Sequence, residues 1–175
     1  MKKRIVALLL AVIMVLTVLP TAFAVSVDDF RDVSGHWGYT YIKWGVDNKL
    51  FNGMSETEFR PDAGMTRAMF VTVLGRLAES YNKKTTGYTS EKFSDVQPDT
   101  WYTQYVTWAD ANKLVEGYTD GTFGVGRLIT REEMCVVMMR FLQYMGQDVD
   151  RKDKGNTFAD AADVFRFQFI PVFLA

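Results

Sequence analysis

The sequence predicts an all-α fold of tandem helix–loop–helix repeats, on two observations. The chain resembles itself at a fixed offset, and its apolar residues recur at helical rather than strand spacing. Displaced by 64 positions, Trp37, Tyr41 and Trp44 fall on Trp101, Tyr105 and Trp108, and Asn48-Lys49-Leu50 falls on Asn112-Lys113-Leu114. Gly53 falls on Gly117, Phe59 on Phe123, Thr66-Arg67 on Thr130-Arg131, Val73 on Val137 and Arg76 on Arg140. About a dozen identities over roughly 46 gap-free positions exceed chance for a repeat. Upstream of the first Trp the offset is 63, which matches Phe30-Arg31-Asp32-Val33 with Phe93-Ser94-Asp95-Val96.

The chain opens with Lys2, Lys3 and Arg4, followed by an uncharged apolar run from Ile5 to Leu19, then Pro20 and Ala22-Phe23-Ala24. A basic start, a short apolar stretch and small residues before a cleavage point read as an export signal, with Val25 the first mature residue. A membrane span needs roughly 20 apolar residues, more than this run supplies. Three of the 20 basic residues lie in this leader, leaving 17 against 21 acidic ones and a net charge of −4. No block of like charge occurs, so neither nucleic acid nor an anionic membrane surface is implied as a partner. Cys135 is the single cysteine, so an exported chain gains no internal disulfide. Its apolar surroundings, Met134 to Met139, read as buried core.

In the first copy Trp37, Tyr41, Trp44 and Asn48 are spaced i, i+4, i+7, i+11, which sets three aromatics and an amide on one helical stripe. Phe70, Val73, Leu74, Leu77 and Tyr81 form a second stripe, matched by Met134, Val137, Met138, Phe141 and Met145. Each copy therefore reads as helix, Gly-containing loop and longer helix, and most of these residues read as core. A two-helix unit cannot bury both stripes alone, so the copies must pack on one another. Thr66 and Thr130 stand where each long helix starts, as N-caps. Glu133 completes a capping box in the second copy, whereas Met69 leaves it open in the first.

A third copy starts at Phe158-Ala159-Asp160, but no Trp follows and the chain ends in an aromatic tail, Phe165 to Ala175. The organisation read is a signal peptide at 1–24, a first repeat at 25–82, a second at 83–146, and a linker with a truncated, aberrant third repeat at 147–175. Such a tail reads as a truncation or a change of reading frame and would be exposed and sticky.

Arg67 and Arg131 follow their caps directly, where the helix dipole makes a cation mildly unfavourable. Two explanations stand side by side. One is an external anion held by the arginine and the free N–H groups. The other is a salt bridge to a carboxylate of the chain itself, with Asp32 and Asp95 as candidates. For catalysis the resources are thin. His36 and Cys135 form no evident nucleophile–base pair, and Asp95 with Asp99 sits in a short loop with nothing else recruited. The loop at Asp120 lacks the alternating ligands and closing Glu of a calcium-binding loop. The reading is a non-enzyme with no cofactor and no metal.

Phe-x-Asp-Val, a Trp shortly after, a Gly loop and a Thr-Arg helix start together resemble the S-layer homology domain. The pieces are Phe30 to Val33, Trp37, Gly53 and Met65-Thr66-Arg67-Ala68 in the first copy. In the second they are Phe93 to Val96, Trp101, Gly117 to Phe123 and Ile129-Thr130-Arg131-Glu132-Glu133. The likeness runs from Asp29 to Gly146. It implies repeats packed as a pseudo-threefold helical bundle, here incomplete, whose inter-repeat grooves bind secondary cell-wall polysaccharide, in many members a pyruvylated amino sugar. Carried over, the ligand site would draw on Asp32, Trp37, Gly53 and Arg67, and on Asp95, Trp101, Gly117 and Arg131. In this reading Trp supplies a face for a sugar ring, Asp accepts from hydroxyls or orients the arginine, and Gly lets backbone approach the ligand. The expected place is the cell wall or S-layer surface of a bacterium, with peptidoglycan-linked glycan as partner. The alternative is a structural module that associates with sister surface-layer proteins. The departures are Met69, the absence of Asp-Gly-Thr from Ser55 to Glu58, Val125 in place of Pro61, and the third copy.

Overall fold

The structure is a computed structural model that describes residues 25–147. The export signal at 1–24 and the truncated third copy lie outside the described residues. Among those described, the regular elements are a short 3-10 turn at Val27–Asp29 and four helices: α1 (Tyr39–Asp47), α2 (Arg67–Ser80), α3 (Thr103–Ala111) and α4 (Arg131–Tyr144). Among the described residues there are no strands, only an isolated bridge between Thr66 and Leu128. No described helix is long and apolar enough to cross a membrane. The bounds of α1 and α2 recur in α3 and α4 at the same 64-residue offset that the sequence shows.

The repeated Asn-Lys-Leu triplet is the device that ends each short helix. Asn48 Nδ2 donates to the Trp44 carbonyl at 2.7 Å, and Asn112 Nδ2 to that of Trp108 at 2.8 Å. Lys49 and Lys113 follow in the left-handed region, φ 60° and 58°, where a non-glycine residue costs about 1 kcal/mol. The Leu50 amide then donates to the Gly45 carbonyl and Leu114 to Ala109, each at 2.8 Å, which closes a Schellman motif. Both leucines are buried, so their packing offsets the backbone strain.

Both long helices start as the sequence predicts. The Met69 amide donates to Thr66 Oγ1 and the Glu133 amide to Thr130 Oγ1. Glu133 Oε2 accepts in return from the Thr130 amide at 3.0 Å, and no such return contact exists at Met69.

The core divides in an order the repeats alone do not imply. Val27, Phe30, Val33 and Val46 make a small cluster under α1. Ala68, Phe70, Val71, Leu74 and Ala78 of α2 instead join Val106 and Trp108 of α3 and Val137 and Phe141 of α4. The main packing unit is thus α2–α3–α4, straddling the boundary between the copies. Gly75 is the point of closest approach, since a Cβ there would collide with the Tyr105 ring.

Two expectations about core residues are corrected. Trp37, Tyr41 and Trp44 are 85%, 74% and 59% exposed, because no described helix covers the outer face of α1. Their counterpart Trp108 is fully buried, with its indole N–H directed at the Tyr144 hydroxyl at 3.4 Å. Cys135 is exposed, since it lies on the outer face of α4 rather than on the Val137–Phe141 face.

Candidate functional site

Asp32 and Asp95 hold the Gly-containing loops shut. Asp32 accepts from the amides of Phe59 (2.9 Å) and Arg60 (2.6 Å). Asp95 accepts from Phe123 (2.6 Å), Gly124 (2.8 Å) and Val125 (2.9 Å). The Phe59 amide, helped by that of Arg60, holds the Asp32 carboxyl below its ordinary range. Partial burial pushes Asp95 up, but the Val125, Phe123 and Gly124 amides outweigh it and leave the carboxyl lowered. These contacts make the Phe-x-Asp-Val motif a loop clamp in both copies.

Gly53 and Gly117 serve the same clamp. A Cβ on either would strike the ring of Phe30 or Phe93, the first residue of that motif. The close approach these glycines permit is therefore to the protein's own phenylalanine.

Arg67 is buried, and every donor nitrogen of its guanidinium is engaged by the second copy. Nε donates to the Phe123 carbonyl (3.0 Å), Nη1 to Glu133 Oε1 (2.9 Å) and Nη2 to the Glu116 carbonyl (2.9 Å). The plane lies 4.9 Å from the Tyr118 ring centroid and 5.0 Å from that of Phe123. The carboxylate partner is Glu133 rather than Asp32 or Asp95, because both aspartates are spent on their loops. Glu133 also accepts from the Tyr118 hydroxyl at 2.8 Å, so one side chain caps α4 and binds Arg67. Arg131, at the equivalent place on α4, is exposed and makes no ion pair among the described residues.

His36 accepts from the Gly38 amide at Nδ1 (3.0 Å), which leaves Nε2 to donate to Asp62 at 3.3 Å. It therefore shapes the turn into α1. Its neighbour Trp37 lies against the imidazole at 5.4 Å and is otherwise open to solvent.

A groove of about 670 Å³ opens on the first copy and is bordered by a single residue of the second. The first copy supplies Tyr41, Gly53, Met69, Thr72 and Arg76, and the second supplies Trp101. Of the eight residues anticipated for the site, the groove brings together only Gly53 and Trp101. Trp101 is half-exposed and stands edge-on to Tyr102, with centroids 5.1 Å apart. Arg76 Nη1 donates to the Leu50 carbonyl at 3.0 Å, and Nη2 lies 3.1 Å from the Asn52 side-chain oxygen in the amide orientation that satisfies both groups. Thr72 is buried, and its hydroxyl, sealed from solvent, has no hydrogen-bond partner among the described residues. Sequence reasoning did not assign Thr72 or Arg76 to the site. Arg76 recurs as Arg140, a signal that pointed to the position without saying what it does. Among the described residues no cluster of His, Cys, Asp or Glu could hold a metal ion.

The fold and the clamps define a class, that of tandem helical repeats packed on one another. The S-layer homology domain family matches residues 29–69 and 92–135, and the chain is an S-layer homology domain protein. It is 31% identical over 132 residues to an amylopullulanase of Thermoanaerobacterium thermosulfurigenes, which covers 75% of this chain and 7% of that enzyme. A cellulosome-anchoring protein of Acetivibrio thermocellus is 28% identical over 89 residues, 51% of this chain and 20% of the relative. A surface-layer 125 kDa protein of Lysinibacillus sphaericus is 24% identical over 147 residues, 84% of this chain and 12% of the relative. The chain thus spans a small part of each. No solved structure matches it significantly.

Proposed function

We propose that the chain is a non-catalytic anchor, exported to the bacterial surface, that holds cell-wall polysaccharide in the groove that its first repeat forms with Trp101 of the second. The observation that carries this reading is the half-exposed Trp101 at the border of a groove otherwise walled by the first copy. A sugar presents apolar C–H faces and hydroxyls together. Trp101 offers its flat face for the first and its indole N–H as a donor to the second. Membership of the family, and relatives that include a cellulosome-anchoring protein, support a cell-surface role.

In this reading Asp32 shapes the loop that frames the groove, Arg67 joins the two copies, and Gly53 and Trp101 line the groove, while Asp95 and Gly117 shape the equivalent loop of the second copy. Trp37 and Arg131 belong to faces that a further repeat would complete in a pseudo-threefold bundle. The pairing of equivalent segments, with the Ile129 amide donating to the Met65 carbonyl at 3.0 Å, supports such an arrangement. An acidic substituent on the glycan would find Arg60 and Arg76 along the groove wall.

Co-sedimentation with purified cell walls, before and after their polysaccharide is stripped, tests the proposal. Wild type should pellet only with unstripped walls, and Trp101→Ala should weaken binding at least tenfold, about 1.4 kcal/mol. Undiminished binding of a folded Trp101→Ala chain, or equal binding to stripped walls, would overturn it.

A further inference from the structure

Asn52 stands in the groove wall at the place where the second copy carries a carboxylate. The 64-residue offset sets Asn52-Gly53 on Glu116-Gly117 and Arg76 on Arg140. In the second copy Arg140 Nη2 donates to Glu116 Oε1 at 3.0 Å, an ion pair that ties the loop to α4. In the first copy Arg76 Nη2 meets the Asn52 side-chain oxygen instead, at 3.1 Å, and Arg76 makes no ion pair among the described residues. Asn52 is exposed, and no other asparagine of the chain is followed by glycine. The Gly53 amide donates to no acceptor among the described residues.

We propose that Asn52 is a deamidation site, where the amide gives way to a carboxylate that pairs with Arg76 as Glu116 pairs with Arg140. The Gly53 nitrogen, having given its proton to hydroxide, attacks Asn52 Cγ and closes a five-membered imide. The Cγ–Nδ2 bond breaks, and the nitrogen leaves as ammonia after taking a proton from water. Water then opens the imide at either carbonyl and leaves an aspartyl or isoaspartyl residue at position 52. One water is consumed and one ammonia released, so no oxidant or enzyme is needed. Glycine favours the attack because no side chain crowds its nitrogen. Arg76 favours it because a donor on the Asn52 oxygen stabilises the negative charge that grows there. The product is stabilised as well, since a charge-assisted bond replaces a neutral one. The groove changes with it. Its charged lining residues are Arg60 and Arg76, and Arg60 is already paired with Glu58 at 2.8 Å. Deamidation therefore neutralises the remaining cation of the groove wall and weakens its hold on any acidic ligand. The modification stands apart from the glycan reading, and its readout is chemical, so either can fail without the other.

Peptide mass spectrometry on the full chain, aged in mildly alkaline buffer and then digested, provides the test. The fragment bearing Asn52 should become heavier by about 1 Da, the change from an amide to a carboxyl. Fragments bearing Asn48, Asn82 and Asn112 should keep their mass over the same time. The folded chain should convert at least as fast as a synthetic peptide of residues 48–56, a comparison that needs no variant. Arg76→Met, with folding checked by circular dichroism, should slow the conversion severalfold. Asn52→Asp, the aspartyl product made directly, should melt no lower than wild type. Protection of Asn52 in the folded chain relative to the peptide would overturn the proposal. So would a rate unchanged by Arg76→Met in a folded chain, or an Asn52→Asp chain that melts below wild type.

Discussion

Arg67 Nη1 donates to Glu133 Oε1 at 2.9 Å, joining the first turn of α2 to the first turn of α4 across 66 positions of sequence. Both side chains are largely shielded, at 7% and 15% exposure. Removing one partner leaves the other uncompensated, and for buried pairs that loss is about 3–5 kcal/mol. Arg67→Ala and Glu133→Ala should each lower the denaturant midpoint by an amount near the bottom of that range. Replacing both residues by methionine should recover part of the loss, because no lone charge remains. Arg131→Ala, with no ion pair among the described residues, should leave the midpoint within about 0.5 kcal/mol of wild type.

Met69→Glu should stabilise α2 by about 0.5–1 kcal/mol, by closing the box that Glu133 closes on α4. The opposing effect is desolvation, but Met69 is only partly buried and faces the groove rather than the α2–α3–α4 core. A midpoint below wild type would show that the groove wall needs the apolar side chain.

Gly75→Ala pits two effects against each other. Alanine gains about 1 kcal/mol of helix propensity over glycine. Overpacking against Tyr105 costs about 1–3 kcal/mol, so a net loss is expected. In a Tyr105→Ala background the same substitution should turn neutral or stabilising. A change of sign between the two backgrounds, read by thermal melts, identifies the ring as the cause.

Asp95 sets part of the acid limit of stability. Its folded carboxyl titrates below the ordinary 3.8, so on acidification the unfolded chain takes up the proton first. The stabilisation is complete above that ordinary value and is lost as pH falls through the folded one. Asp95→Asn should lower stability at neutral pH by about 2 kcal/mol, since three amides share the charged acceptor. It should also flatten the decline below pH ~4. A slope unchanged from wild type would show that other carboxyls carry the acid transition.

Much of this protein is written locally. The 64-residue offset, the helix starts at Thr66 and Thr130, the box at Glu133 and its absence at Met69 all follow from short-range chemistry, and the structure keeps them. Capping and 3.6-residue spacing depend only on residues a few positions apart, so a single sequence reveals them. Even the Asn-Lys-Leu identity, noted without a role, is a local helix stop.

Partnership over long distances was not legible. The sequence marks Trp44 and Trp108 as the same position, yet one is exposed and the other wholly buried. The difference lies in what packs from outside each helix, for Trp108 has α2 and Tyr144 around it and no described element covers Trp44 in that way. The same holds for the arginines: Arg67 is locked by Glu133, Glu116 and Phe123 of the following copy, while Arg131 stays exposed. By itself the sequence determined the repeat, its helices and its family resemblance, because those rest on local periodicity. Only the tertiary structure decided which copy of each repeated residue is core, clamp or open surface, because burial depends on a neighbour that identical residues do not share.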